Sequence, residues 1–186
     1  MEIVDTIYSI INAIGKEKIQ SDITSDRSLS SHYIEMIMAQ CMKINGASNE
    51  ETLGSLSEAL LHFMLTIGTL PSVRKVQLDN TDLDIVIPNL HTLRTSPDKA
   101  IIIQISRGNN HLIQELLGNL ALIQPNHKNL WIVSSNPITT VRCVNYIVNP
   151  EKIGMPSAEI RKFQDIIIDI EKFLKETGDR SLRFIQ

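Results

Sequence analysis

The segment AIIIQIS, residues 100 to 106, constrains the fold of this chain more than any other stretch. Its apolar run is nearly continuous, which is typical of a β-strand buried on both faces at the centre of a sheet. One primary amide, Gln104, interrupts the run. A buried amide needs hydrogen-bond partners, so Gln104 is predicted either to bond a neighbouring backbone group or to belong to a functional site.

The segments on either side of this strand predict the rest of the sheet. VRKVQL (73 to 78) and DLDIVI (82 to 87) predict two strands, and the DNTD sequence that joins them favours a turn, so together they predict an antiparallel hairpin. An amphipathic helix, a fourth strand and a candidate fifth strand follow, over residues 109 to 123, 129 to 135 and 141 to 148. We therefore predict an α/β fold with a mixed β-sheet of four to five strands flanked by helices.

The remaining segments predict helices. Three amphipathic helices precede the hairpin, over residues 2 to 14, 30 to 43 and 48 to 68, and the polar stretch KEKIQSDITSDRS between the first two reads as a connector. A last helix is predicted from Ser157, its N-cap, to Gly178. We accordingly predict an N-terminal helical extension of residues 1 to 47 and an α/β domain of residues 48 to 186.

Composition excludes several classes of protein. A net charge of -3 argues against a generally basic nucleic-acid binder, although a local basic groove stays open. The two cysteines form no CxxC pair, which favours buried thiols over a disulfide framework or a zinc site. Glu2 and Asp5 argue against a signal peptide, and no apolar run approaches a membrane span. We therefore expect a cytoplasmic protein with no membrane contact.

An acid on the second strand is predicted to face the amide on the third. Asp84 shares one strand face with Val86, and Gln104 shares one with Ile102 and Ser106. If the two strands are neighbours, Asp84 lies next to Gln104. Carboxylate and carbonyl oxygens are ligands that Mg²⁺ prefers, so Asp84 is a candidate metal ligand.

This order of elements and residues resembles the core of the PD-(D/E)XK nuclease superfamily, over roughly residues 50 to 135. IQISRG resembles the Gln-x-Lys form of Mrr-type restriction endonucleases, with Ser106 in place of the lysine and Arg107 directly after it. The resemblance implies a restriction-endonuclease-like, nuclease-like domain with Mg²⁺ as cofactor and with Asp84, Gln104 and Ser106 as weak or relic catalytic residues. Without a lysine at position 106, no group there orients water or stabilises phosphate charge.

Basic residues near these strands are candidate nucleic-acid contacts, and the alternative is that they are solvated surface charges. They are Arg74, Lys75, Arg94 and Arg107. Strand alternation places Arg107 on the face opposite Gln104 unless the strand ends before it. Some nuclease families add an acid from the preceding helix, and Glu58 is the candidate for it here. Because Glu58 lies on the helix face opposite the Leu53, Leu56 and Leu60 stripe, we predict that it is solvated instead.

Three functions remain open from the sequence. The first is a catalytically degenerate nuclease-fold protein that binds DNA or RNA or serves as an assembly component. The second is a protein-interaction or regulatory module that does not bind nucleic acid. The third is a divergent Mg²⁺-dependent nuclease. The isoleucine stripe of the first helix must be buried against its own core or a second copy, which makes a homodimer through this helix a further prediction.

Overall fold

The computed structural model describes residues 3–45, 49–108, 110–140, 142–149, 153 and 159–178. Within these ranges the helices are α1 (Ile3–Ile14), α2 (Lys16–Ser25), α3 (Leu29–Asn45), α4 (Glu50–Ile67), α5 (Leu90–Thr95), α6 (Asn110–Ile123) and α7 (Ile166–Glu176). The strands are β1 (Val73–Leu78), β2 (Thr81–Ile87), β3 (Ile101–Ile105), β4 (Leu130–Ser134), β5 (Val144–Ile147) and β6 (Ile160–Lys162).

The strands form one mixed sheet in the order β1-β2-β3-β4-β5-β6. The first two neighbouring pairs are antiparallel and the next three are parallel. The predicted α/β fold is confirmed, with six strands among the described residues where four to five were predicted. The helix α6 joins the parallel neighbours β3 and β4, as the predicted crossover requires.

Every residue of β3 is buried, because helices cover both faces of this strand. Ile101, Ile103 and Ile105 pack into the larger hydrophobic cluster, together with residues of α1, α3, α4 and α7. Ile102 packs into a second cluster with residues of α5 and α6. The nearly continuous apolar run of β3 thus reflects burial on both sides, as its sequence predicted.

The isoleucine stripe of α1 is buried within the chain itself. Ile7, Ile10 and Ile11 belong to the same cluster as Leu60 of α4, and α1 contacts both α3 and α4. The need to bury this stripe is therefore met without a second copy. A homodimer through α1 stays a prediction, as does the division of the chain at residue 47.

The connector predicted after α1 is wrong, since residues 16 to 25 form the helix α2. The buried residues of α2 are Ile19 and Ile23, which lie four positions apart and pack into the larger cluster. Two apolar residues among polar ones give a weak helical signal, and tertiary packing decides the outcome. Gly15, at φ +100°, separates α2 from α1.

The start of the last helix is also wrong. Residues Ile160–Lys162 form β6, which pairs in parallel with β5, and α7 begins only at Ile166. Pairing with a strand distant in sequence overrides the local helical pattern here. The predicted cap at Ser157 lies outside the described residues, as does Ser48. For α4 the sequence offers Ser48 or Asn49 as the cap, and Asn49 caps the helix by accepting the Thr52 N–H at 2.6 Å.

Both cysteines are buried thiols outside any disulfide bond, as predicted. Burial raises the pKa of Cys41 to about 11. Burial, with a smaller effect of the nearby Glu159 charge, raises the pKa of Cys143 to about 11. Among the described helices, none is both long enough and apolar enough to cross a membrane.

Candidate functional site

Two polar side chains fill the point where β2 and β3 separate. The last backbone-paired residues at this end are Ile85 and Ile103. Beyond them the Asp84 N–H donates to Gln104 Oε1 at 3.2 Å, and the Ile105 N–H donates to Asp84 Oδ2 at 2.9 Å. The prediction that Asp84 lies next to Gln104 is confirmed. Side-chain oxygens replace the ladder hydrogen bonds of the diverging strands, which explains the amide in a core strand.

Lys75 of β1 bridges two carboxylates. It lies between Arg74 and Val76, which pair with Ile85 and Leu83, so it stands opposite Asp84. Its ammonium Nζ is 2.7 Å from Asp84 Oδ1 and 2.8 Å from Glu58 Oε1. Its backbone has φ +50°, a left-handed conformation that costs a non-glycine residue about 1–3 kcal/mol. The fold thus tolerates strain at the residue that joins the two acids.

Glu58 of α4 belongs to this cluster, so the prediction that it is solvated is wrong. Its side chain is only 16% exposed. Oε1 accepts from Arg74 at 3.3 Å as well as from Lys75, and Oε2 accepts from Arg107. Sequence reasoning considered only the apolar stripe of the helix and missed a second packed face.

Gly54 is the signal that would have identified this second face of α4. A Cβ at this position would lie 2.7 Å from the backbone oxygen of Ser106 and 3.0 Å from Arg107 Cγ. The missing side chain therefore lets α4 lie directly against the end of β3. Glu58 follows one helical turn later on the same face, which brings its carboxylate to the site.

Arg107 turns back toward the acids because β3 ends at Ile105. Its guanidinium donates to Glu58 and lies 3.8 Å from Asp84 Oδ2. Ser106 is buried, and its N–H donates to the Val133 oxygen at 2.8 Å. The turn therefore adds a third cation to the cluster, after Arg74 and Lys75. Arg107 reaches the face of Asp84 and Gln104 because the strand ends before it, the condition under which strand alternation no longer places it on the opposite face.

Arg94 lies apart from this cluster. It is exposed on α5, which precedes β3, whereas Arg107 follows β3, so the two arginines lie at opposite ends of the strand. The structure thus brings together three of the four predicted basic contacts: Arg74, Lys75 and Arg107. A contact of Arg94 with nucleic acid stays a prediction.

The cluster shifts the ionisation of its own members. Burial favours the neutral form of Glu58, but hydrogen bonds and charges from Lys75 and Arg107 outweigh it and lower the pKa of Glu58. Burial likewise disfavours the charged form of Lys75, yet Asp84 and Glu58 raise the pKa of Lys75. Glu58 and Lys75 therefore hold each other in their charged forms.

The cluster does not fit a divalent cation in this arrangement. Each oxygen of Asp84 and Glu58 already contacts a basic side chain or a backbone N–H, and the Gln104 oxygen accepts the Asp84 N–H. Mg²⁺ needs such oxygens free to coordinate it. Across the described ranges no three His, Cys, Asp or Glu residues are grouped so that they hold a metal ion.

Comparison with known proteins identifies the fold. No protein-family model and no curated protein matches the chain. A complex of the restriction endonuclease PspGI with substrate DNA is similar over 95% of this chain and 94% of that one, with 15% identity and a TM-score of 0.64. Metal-depleted Ecl18kI with uncleaved, modified DNA is similar over 95% of this chain and 80% of that one, with 10% identity and a TM-score of 0.64.

The likeness confirms the predicted fold. This chain has a restriction-endonuclease-like fold. Within it, polar residues converge at the fork of β2 and β3, beside the helix α4. At these identities the comparison establishes the architecture alone.

Acid titration tests the role of Glu58. Since its pKa is lowered by folding, its ionised form stabilises the fold above the unfolded pKa of about 4.3, and this stability is lost as pH falls through the folded pKa. We expect the free energy of unfolding of the wild type, from urea denaturation, to fall more steeply below about pH 5 than that of Glu58→Gln. Glu51→Gln, at an exposed position of α4, keeps the wild-type slope. Parallel curves for wild type and Glu58→Gln would contradict this role.

Proposed function

We propose that this chain is a nuclease-fold protein that binds duplex DNA and does not cleave it by a metal-dependent route. The observation that carries the proposal is the occupation of both acids by the chain's own cations. Lys75 bridges Asp84 and Glu58, and Arg107 contacts Glu58 and approaches Asp84. A site arranged in this way retains positive charge for phosphate and leaves no free carboxylate for a metal.

The charge of the cluster supports binding to phosphate. Three cations (Arg74, Lys75, Arg107) meet two acids (Asp84, Glu58), so the cluster carries 3 − 2 = +1. The side chain of Lys75 is 54% exposed and that of Arg107 is 35% exposed, so both side chains are accessible from solvent. Most of the affinity of such proteins for DNA comes from contacts of this kind with the phosphate backbone. The solved structures of similar fold are DNA complexes, which supports DNA as the first ligand to test.

The loss of cleavage follows from the chemistry at position 106. Ser106 stands where the resemblance places a lysine, and it is buried at the end of β3. A serine hydroxyl carries no positive charge with which to stabilise a developing phosphate charge. The guanidinium group of an arginine does not act as a general base, so Arg107 does not replace the missing lysine in activating water.

Salt titration tests DNA binding. We expect the affinity for a short duplex to fall with salt, with a log–log slope of about -0.9 for each phosphate contacted. Arg107→Gln lowers the magnitude of that slope by about one, because one phosphate contact is lost. Fluorescence anisotropy at several salt concentrations measures this.

Lys128→Gln serves as the matched control for charge. Lys128 is exposed and precedes β4, whereas Arg107 follows β3; the two strands are parallel, so Lys128 lies at the other end of the sheet. We expect its slope to match the wild type. Absence of binding to both DNA and RNA at low salt would contradict the proposal and favour the protein-interaction module. Binding to RNA alone would assign the surface to that ligand.

A divergent metal-dependent nuclease is the second candidate function. The observation that favours it is the ammonium of Lys75, which lies 2.7 Å from Asp84 and supplies from β1 the lysine that position 106 lacks. This candidate requires Mg²⁺-dependent cleavage that Lys75→Met and Asp84→Asn both abolish. The first proposal requires intact DNA with the wild type.

A further inference from the structure

We infer that Lys75 is an internal cation that takes the place of a divalent metal ion between Asp84 and Glu58, and that its removal opens a metal site. The inference rests on the proposed function, since it explains why a nuclease-fold site with two acids carries no free carboxylate. It concerns only the chain's own residues and the binding of an ion, without reference to DNA.

The geometry places one positive nitrogen between two acids from different elements. Asp84 comes from β2 and Glu58 from α4, and Lys75 Nζ contacts both, at 2.7 Å and 2.8 Å. Two carboxylates from separate elements that meet at one cation are the minimal protein contribution to a Mg²⁺ or Mn²⁺ site, with water completing the shell. Lys75 contacts Oδ1 of Asp84 and Oε1 of Glu58, so its removal frees Oδ1 and leaves Oε1 with only the longer contact to Arg74, at 3.3 Å.

The other cation that reaches both acids does not occupy the same position. Arg107 contacts the opposite oxygens, Oε2 of Glu58 and Oδ2 of Asp84, with the second at 3.8 Å. Arg74 shares only Glu58 Oε1 with Lys75, and its contact with that oxygen is longer, at 3.3 Å. Among the described residues, Lys75 is therefore the cation in close contact with the two oxygens that would coordinate an ion.

Removal of the Lys75 charge leaves the surrounding structure in place. The Asp84 carboxylate stays fixed by the Ile105 N–H, and the Asp84 N–H stays bonded to Gln104. The Lys75 side chain is 54% exposed, so its truncation opens the pair of acids to solvent rather than leaving a closed cavity. An ion can then reach Asp84 Oδ1 and Glu58 Oε1, and the Arg74 contact with Oε1 is the longer of the two that this oxygen makes.

Titration with MnCl₂ in the absence of nucleic acid tests this inference. We expect Lys75→Met to bind Mn²⁺ at least about tenfold more tightly than the wild type, because a like charge within about 4 Å of the ion has been removed. Isothermal calorimetry gives the dissociation constants, and the rise in melting temperature with Mn²⁺ gives a second readout. Arg74→Met is the matched control: it also removes a cation from Glu58, but not the bridging one, and it behaves as the wild type.

Further variants determine whether the ion binds at the proposed place. Lys75→Arg keeps the charge and stays unresponsive to Mn²⁺, and Lys75→Met with Asp84→Asn loses the gain. Lys75→Gln replaces Lys75→Met if the latter does not fold. Equal Mn²⁺ affinity for wild type and the folded Lys75 variant overturns the inference, as does an undiminished gain in the double variant. Because no nucleic acid is present, a failure of DNA binding leaves this result unchanged.

Discussion

Replacement of Asp84 by alanine is expected to lower the free energy of unfolding by about 2 kcal/mol, because it removes a buried carboxylate that accepts from a backbone N–H and from the half-exposed Lys75. Its carboxylate is 7% exposed and accepts from Lys75 and from the Ile105 N–H. The substitution leaves the buried N–H without an acceptor, which alone costs about 1–3 kcal/mol. It also leaves Lys75 and Arg107 facing each other with one acid, Glu58, between them. Urea denaturation at pH 7 measures the change.

Asp82→Ala is the matched control on the same strand. Asp82 is exposed, and its side chain accepts from Gln77 at 3.3 Å. We expect a change within about 0.5 kcal/mol, as for ordinary surface substitutions. If Asp84→Ala were as mild as Asp82→Ala, the fork of β2 and β3 would not depend on the carboxylate.

Two glycines in helices are expected to respond to alanine with opposite signs. At Gly54 the new Cβ would lie 2.7 Å from a backbone oxygen of Ser106, which cannot move without displacing the end of β3. Such overpacking costs about 1–3 kcal/mol, and we expect a net loss of stability of about 2 kcal/mol. The displacement of α4 also separates Glu58 from Arg107.

Gly118 of α6 provides the comparison. A Cβ there meets no atom within 4 Å, so Gly118→Ala gains helix propensity of up to about 1 kcal/mol without a steric cost. Thermal and urea denaturation of both variants measure the two changes. A stabilised Gly54→Ala protein would show that α4 does not lie tightly against β3, and the placement of Glu58 would lose its basis.

The central part of the fold could be predicted from sequence because its signals are local. The continuous apolar run of β3 indicates burial on both faces. The alternation of apolar and polar residues in β1 and β2 indicates burial on one face. Strand alternation then placed Asp84 beside Gln104, and the hydrogen bond between them agrees. Among the elements that were missed, α2 depends on the burial of two isoleucines in the core, and β6 depends on pairing with β5.

The site could be predicted only in part. Asp84 and Gln104 lie on regular strands, where the position of a residue along the strand determines the face to which its side chain points. Glu58 approaches through a packed glycine, and Lys75 has a left-handed backbone that no strand pattern predicts. Arg107 depends on the residue at which β3 ends. These three side chains complete the charge network, and each owes its position to a local departure from regular structure.

The central claim is that the chain's own cations occupy Asp84 and Glu58 in place of a metal ion. Its most direct test is a single incubation of wild-type protein with duplex DNA and Mg²⁺ at low salt. A native gel records binding and a denaturing gel records cleavage from the same sample. We expect that the protein retards the DNA on the native gel and that the DNA remains intact on the denaturing gel. If the wild type cut the DNA and Asp84→Asn left it intact, the claim would be contradicted, because Asp84 would then coordinate a metal ion rather than pair with Lys75.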